Sequence, residues 1–166
     1  MYRKVFLLIW TIFIVFGCSF LHKQKVSIKE QQSTNPVLLS NRIHCISASS
    51  EDVWIATDQG VNRYTDNKWF EYTIEDGLAD NNVNAVAVDG DFVWFGTSSG
   101  LSRYNKVKQN WKTFTRDQGI ASNIISALAV DGNYLWVGTP QGLSRYNKSL
   151  DVWALHTKED GGIYSN

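Results

Sequence analysis

From residue 41 onward the chain can be written three times over itself. Copy one contains VWIATDQGVNRY at 53–64, copy two VWFGTSSGLSRY at 93–104 and copy three LWVGTPQGLSRY at 135–146, at offsets of 40 and 42 residues. Upstream, NNVNAVAVDG at 81–90 lines up with NIISALAVDG at 123–132; downstream, Trp69, Trp111 and Trp153 fall at matching places. Self-similarity at a fixed period means that each repeat is one small structural unit, which buries its apolar surface on its neighbours.

Within a unit the pattern is strands and tight turns. NAVAV and SALAV alternate as short strands do and run into Asp89-Gly90 and Asp131-Gly132, a hairpin signal. FVWFGT and YLWVGT predict a second strand, a turn ends at Gly100 or Gly142, LSRYN predicts a third strand and WKTFT at 111–115 a fourth. No window holds a helical period. Aromatics make up 13% of the chain, seven of them Trp, with two Pro, a mix that favours strands.

Four antiparallel strands in about 40 residues is the arithmetic of a β-propeller blade. The predicted fold is therefore all-β: three four-stranded antiparallel blades forming an incomplete, open propeller, preceded by an N-terminal signal helix. Blades are expected at about 41–80, 81–122 and 123–165, with a fourth starting at 166. Trp54, Trp94 and Trp136 are the expected inter-blade packing element, and Gly60, Gly100 and Gly142 the expected positive-φ turn positions.

The N-terminus reads as an address. Arg3 and Lys4 precede an apolar run from Val5 to Gly17, long enough for a signal-peptide core and shorter than the roughly 20 residues a bilayer span needs. The run ends in VFGC, which resembles a bacterial lipobox: Val15 and Gly17 match its pattern and Phe16 departs from it. By that resemblance residues 1–17 are a lipoprotein signal peptide, Cys18 is the lipidated first residue of the mature protein and 18–34 are its tether. The alternative is an uncleaved inner-membrane anchor. Either reading puts the repeats outside the cytoplasm. Ser19, standing where some lipoproteins carry a retention Asp, points to an outer membrane facing the periplasm, or to the cell surface.

The phrase DGL-x-x-N, then V-x-A-x-x-x-DG, then VW-x-GT-x-x-GL-x-RY resembles the two-component regulator propeller repeat, over residues 35–166. The resemblance implies an extracytoplasmic propeller acting as a sensor module, often ahead of a membrane span and a histidine kinase. Neither a kinase nor a second apolar span follows the repeats in this sequence.

Enzymatic constellations are scarce. His22, His44 and His156 occupy non-equivalent places, without a second His or a Cys at metal-ligand spacing, so neither a metal nor another cofactor is expected. Cys45 aligns with Ala85 and Ala127 and reads as a buried thiol in the first strand. The Asp-Gly turns carry too few oxygen ligands for calcium. With 16 basic and 16 acidic residues the chain has no electrostatic footprint for nucleic acid. Arg63, Arg103 and Arg145 recur before a Tyr in every copy; they read either as structural contacts or as guanidinium groups aimed at an anionic or sugar ligand. The turns Asp58-Gln59, Ser98-Ser99 and Pro140-Gln141 vary inside a constant surround, as binding loops on a scaffold do. With the inter-blade connections they form the expected binding face, for a carbohydrate or a protein.

Three functions compete. The first is a non-enzymatic, lipid-anchored propeller for recognition; the second is a propeller lyase-like enzyme that would need His44 or His156. The third is the N-terminal fragment of a longer, histidine-kinase-type sensor. DGGIYSN at 160–166 aligns with EDGLADN at 75–81 and DQGIASN at 117–123, phrases that open a blade, so four openers accompany three blades. Three blades leave two blade faces uncovered, which predicts self-association or further blades.

Overall fold

The computed structural model describes residues 32–33 and 38–158. Three four-stranded units follow one another. Blade 1 is built from β2 (Ile43–Ala48), β3 (Val53–Thr57), β4 (Gly60–Thr65) and β5 (Lys68–Tyr72); the short β1 (Gln32–Ser33) adds antiparallel to the outer edge of β5. Blade 2 is β6 (Val83–Asp89), β7 (Phe92–Thr97), β8 (Leu101–Asn105) and β9 (Asn110–Phe114). Blade 3 is β10 (Ala127–Asp131), β11 (Tyr134–Thr139), β12 (Gly142–Asn147) and β13 (Val152–His156). Every blade is an antiparallel meander in chain order. The innermost strands β2, β6 and β10 lie side by side. The expected all-β architecture of three four-stranded blades is the architecture observed, with one 3-10 turn at Arg116–Gln118. Cys18, the signal helix and the phrase at 160–166 lie outside the described residues.

Strand alternation gives each blade two different faces. One face, here called leading, carries Trp54 opposite Arg63 and Phe70 in blade 1, and Trp94 opposite Arg103 and Lys112 in blade 2. The trailing face carries a cross-strand Tyr–Trp pair: Tyr64–Trp69, Tyr104–Trp111 and Tyr146–Trp153, with ring centroids 5.0, 4.7 and 4.8 Å apart. The leading face of one blade packs on the trailing face of the next. Trp54 lies 5.5 Å from Phe95 and 5.9 Å from Tyr104 of blade 2, while Trp94 lies 5.7 Å from Tyr146 of blade 3. Two apolar cores result, one at each blade boundary, and Trp54 and Trp94 are 0% and 1% exposed in them. Burying a large aromatic side chain contributes about 1.5–3 kcal/mol, so these boundaries stabilise the fold. Trp136 stands at the same place on blade 3, half-buried and packed on His156.

The recurrent phrase before each blade has a structural reason. In the connections 73–82 and 115–126, Asn81 and Asn123 accept from the N–H groups of Ile74 and Arg116 at 2.9 and 2.8 Å, closing each loop on itself. Leu78 and Ile120 are thereby driven into the cores, 5% and 2% exposed. The next N–H, of Ala79 or Ala121, donates to Ser102 or Ser144 in the third strand at 2.9 Å. Leu39 makes the same bond to Asn62, so residues 38–41 dock on blade 1 as the other openers dock on theirs. Gly77 has φ 125°, and a Cβ there would meet Trp111 Cγ at 2.6 Å: the outer-strand tryptophan packs directly on the opener's backbone.

Candidate recognition face

In a meander, the turn between the second and third strands emerges at the same end of the blade as the connection entering it. That places 58–59, 98–99 and 140–141 beside residues 38–42, 73–82 and 115–126, as the sequence predicts. Each turn is locked identically. Thr57, Thr97 and Thr139 donate from Oγ1 to the carbonyls of Gly60, Gly100 and Gly142 at 2.9, 2.7 and 2.8 Å. The same hydroxyls accept the N–H of Gln59, Ser99 and Gln141 at 3.1, 3.1 and 3.2 Å. The three glycines have φ of 130°, 148° and 126°, the expected positive values. The threonine that ends the second strand of each blade is the component of the site that sequence reasoning missed; its recurrence at the same place in all three copies was the available signal.

Within this fixed lock the two variable residues meet different surroundings. Asp58 faces Arg42 at 3.3 Å. A hydrogen bond with Ser40, and behind it the Arg42 charge, outweigh partial desolvation and hold the Asp58 carboxyl below the ordinary aspartate value. Ser98 accepts from Asn82 Nδ2 at 2.8 Å, and Ser99 Oγ donates to Asp80 at 2.6 Å, tying the blade 2 turn to its connection. Gln59, Ser99 and Gln141 are exposed, Asp58 and Ser98 half-buried. The result is a polar surface held by backbone locks, with a different donor and acceptor set on each blade.

The arginines lie elsewhere. Each guanidinium stacks on the tryptophan of its own blade: Arg63 over Trp54 at 5.1 Å, Arg103 over Trp94 at 5.4 Å and Arg145 over Trp136 at 5.5 Å. Arg103 and Arg145 are sandwiched by Phe92 at 4.7 Å and Tyr134 at 4.9 Å; Arg63, where copy one has Asp52 in place of that ring, pairs with the carboxylate at 2.7 Å. Each guanidinium thus stacks on rings of its own blade. Cys45, expected to be buried, is half-buried beside the first core, its Sγ 3.9 Å from the Val86 carbonyl of blade 2. His44 lies in β2, and its Nδ1 is 3.0 Å from the Val83 carbonyl; His156 ends β13.

At the opposite end of the blades, two shallow grooves of about 300 and 330 Å³ open between blades 1 and 2, both lined by Lys106. Asp52, 1% exposed, fixes this seam by accepting from Arg63 Nε at 2.8 Å and Lys106 Nζ at 3.0 Å. Burial alone would raise its carboxyl, but the bonds from Arg63 and Lys106 outweigh it and hold it below the ordinary value. These cations are therefore engaged within the protein and do not form an anion site. Among the described residues no three metal-ligating side chains converge.

No protein-family model and no curated protein matches this chain. Solved structures do. The extracellular domain assigned to the hybrid two-component system BT3049 from B. thetaiotaomicron is similar at a TM-score of 0.67 and 22% identity over 74% of this chain and 19% of that one. The extracellular domain assigned to the one-component system BT4673 from B. thetaiotaomicron is similar at 0.59 and 25%, over 74% and 17%. PorZ, a surface component of the type-IX secretion system of Porphyromonas gingivalis, is similar at 0.59 and 13%, over 74% and 17%. The chain thus spans less than a fifth of the length of each. These likenesses establish the propeller-blade fold, and the first two are in keeping with the resemblance to two-component regulator propellers.

Proposed function

We propose that this chain is a non-enzymatic, extracytoplasmic recognition module of the sensor type, anchored to the membrane through a lipid on Cys18. It recognises a carbohydrate or a protein with the face formed by Asp58, Gln59, Ser98, Ser99 and Gln141. One observation carries the reading: three identically locked turns, held by Thr57, Thr97 and Thr139, present non-identical polar pairs at one end of the blades. Two of the solved structures it resembles are extracellular domains of signalling systems, which supports both the location and the sensor role. Arg63, Arg103 and Arg145 serve the frame, since their guanidinium groups are spent on aromatic rings of their own blades. The coverage of 19% and 17% favours a second reading, in which these blades are one part of a longer sensor propeller.

The test is a screen of the protein against an oligosaccharide array and, in cells, by cross-linking to neighbouring proteins. A partner found with the wild type should be lost by the Asp58→Ala, Ser98→Ala, Gln141→Ala variant; undiminished capture by that variant refutes the assignment of the face. Labelling with a palmitate analogue should disappear in Cys18→Ser, and unchanged labelling would refute the anchor.

A further inference from the structure

The two blade boundaries are built alike, yet they differ at the outer corner of the end opposite the recognition face. Between blades 2 and 3 an ion pair closes this corner: Lys112 of β9 meets Asp151, in the turn before β13, at 3.6 Å. Asp151 also accepts from the Tyr146 hydroxyl, and Lys112 Nζ lies 4.6 Å from the centre of the Phe114 ring. Between blades 1 and 2 the equivalent residues are Phe70 and Gln109, a ring and an amide. Gln109 and Asp151 share one turn conformation, φ 51° and 53°, so the exchange changes the side chain and not the turn. The turn of blade 1 at this corner is also two residues shorter than in the other copies, closing on Asp66 and Asn67 at φ 49° and 59°. The groove of about 330 Å³ opens where these departures from the repeat converge.

Its lining defines what it can hold. Phe70 forms a half-buried wall and Gln109 an exposed rim. Arg63 and Lys106 line it as well, but Asp52 holds both. The charges left for a ligand are those of Asp66 and Lys68, both exposed and neither in an ion pair among the described residues. They belong to one tight turn, across which Thr65 pairs with Lys68. A carboxylate and an ammonium beside one apolar ring match a molecule that carries an ammonium, a carboxylate and an apolar side chain on a single carbon. A neutral sugar ring would cover both charges and pair neither, at the cost of desolvating each. The volume stands at the small end of ligand sites, which span about 300–1,000 Å³, and suits one small molecule.

We propose that this groove binds a free α-amino acid with an apolar side chain. Lys68 pairs with its carboxylate, Asp66 with its ammonium, and Phe70 packs on its side chain. The site is separate from the recognition face and does not rest on it.

Isothermal titration calorimetry of the full chain with L-leucine tests the proposal. L-Leucine should bind, while 4-methylpentanoate and 3-methylbutylamine, which lack its ammonium and its carboxylate, should each bind about tenfold more weakly, as the loss of one charge-assisted hydrogen bond requires. Asp66→Asn should remove only the preference over 4-methylpentanoate, and Lys68→Gln only the preference over 3-methylbutylamine. Phe70→Lys together with Gln109→Asp, which installs the ion pair of the other boundary, should abolish binding while urea unfolding stays cooperative. The Asp58→Ala, Ser98→Ala, Gln141→Ala variant should bind L-leucine as the wild type does. Absence of L-leucine binding at millimolar concentration, equal affinity for the three compounds, or binding of glucose or galactose in place of L-leucine would each overturn the proposal. So would undiminished binding by the Phe70→Lys, Gln109→Asp variant, or loss of binding in the variant of the recognition face.

Discussion

Replacing Asp52 by Asn tests whether the corner charge pair stabilises the blade boundary. The carboxylate is 1% exposed and accepts three charge-assisted hydrogen bonds, from Arg63 Nε and Nη2 and from Lys106 Nζ, at 2.8, 2.7 and 3.0 Å. Asn keeps one acceptor oxygen, which at the Oδ1 place retains both Arg63 contacts and gives up that of Lys106, and it leaves two cations that are 16% and 15% exposed facing a neutral amide. Removing one partner of a buried pair costs about 3–5 kcal/mol, mostly the penalty of the charge left behind. Lys106 lines an open groove and can swing into water, which lowers the expected cost to about 3 kcal/mol. That is a large fraction of the roughly 5–15 kcal/mol available to a domain. Urea denaturation followed by tryptophan fluorescence should show a midpoint lower by about 1–2 M. The pH dependence supplies a second readout. Asp52 has a folded-state value below its ordinary 3.8, so its contribution is fully present above that value and is lost as pH falls through the folded one. The stability gap between wild type and Asp52→Asn should be constant between about pH 5 and pH 7 and close below about pH 4. A gap under about 1 kcal/mol, or one that survives acidification undiminished, would refute the reasoning.

The remaining predictions probe packing, backbone and burial. Trp54→Ala should cost about 3–5 kcal/mol and Trp136→Ala under about 2, because among the described residues only the first is enclosed by a following blade; paired denaturation curves decide it. Gly77→Ala combines φ 125° with a Cβ 2.6 Å from Trp111 Cγ, and should lower thermal stability by more than Gly90→Ala, at φ 59° in open space, where about 1–2 kcal/mol is expected. Tyr146 is pushed up to about 12 by burial and by its bond to Asp151, and the unfolded phenol ionises first. Stability should therefore fall as pH rises from about 10 towards 12, and Tyr146→Phe should remove that part of the loss in alkaline denaturation.

The fold was legible because its information is repeated. Three copies of one phrase set the blade number, and alternation set the strands; the recurrence of Gly60, Gly100 and Gly142 at one place marks the positive φ that all three adopt. The candidate face was legible for the complementary reason. Asp58, Ser98 and Gln141 differ inside a constant surround, and only a position released from the frame can vary so. The arginines show the limit of this logic. Repetition marked Arg63, Arg103 and Arg145 as structural candidates, yet it left open whether they stack within a blade or between blades, because sequence spacing does not say which residues oppose each other across two hairpins.

What periodicity hid were contacts between non-equivalent positions. Lys106 and Lys148 are equivalent, but their acceptors, Asp52 and Asp89, come from opposite strands of the first hairpin and do not align. Superposing the copies therefore shows a conserved donor and no conserved acceptor. The two acids nevertheless occupy one corner of the leading face, since residues 49 and 52 oppose each other as 89 and 92 do. The charge pair is conserved in space while its acid migrates from one strand to the other. Equivalence of sequence therefore finds the donor of the pair, and only the fold finds its acceptor.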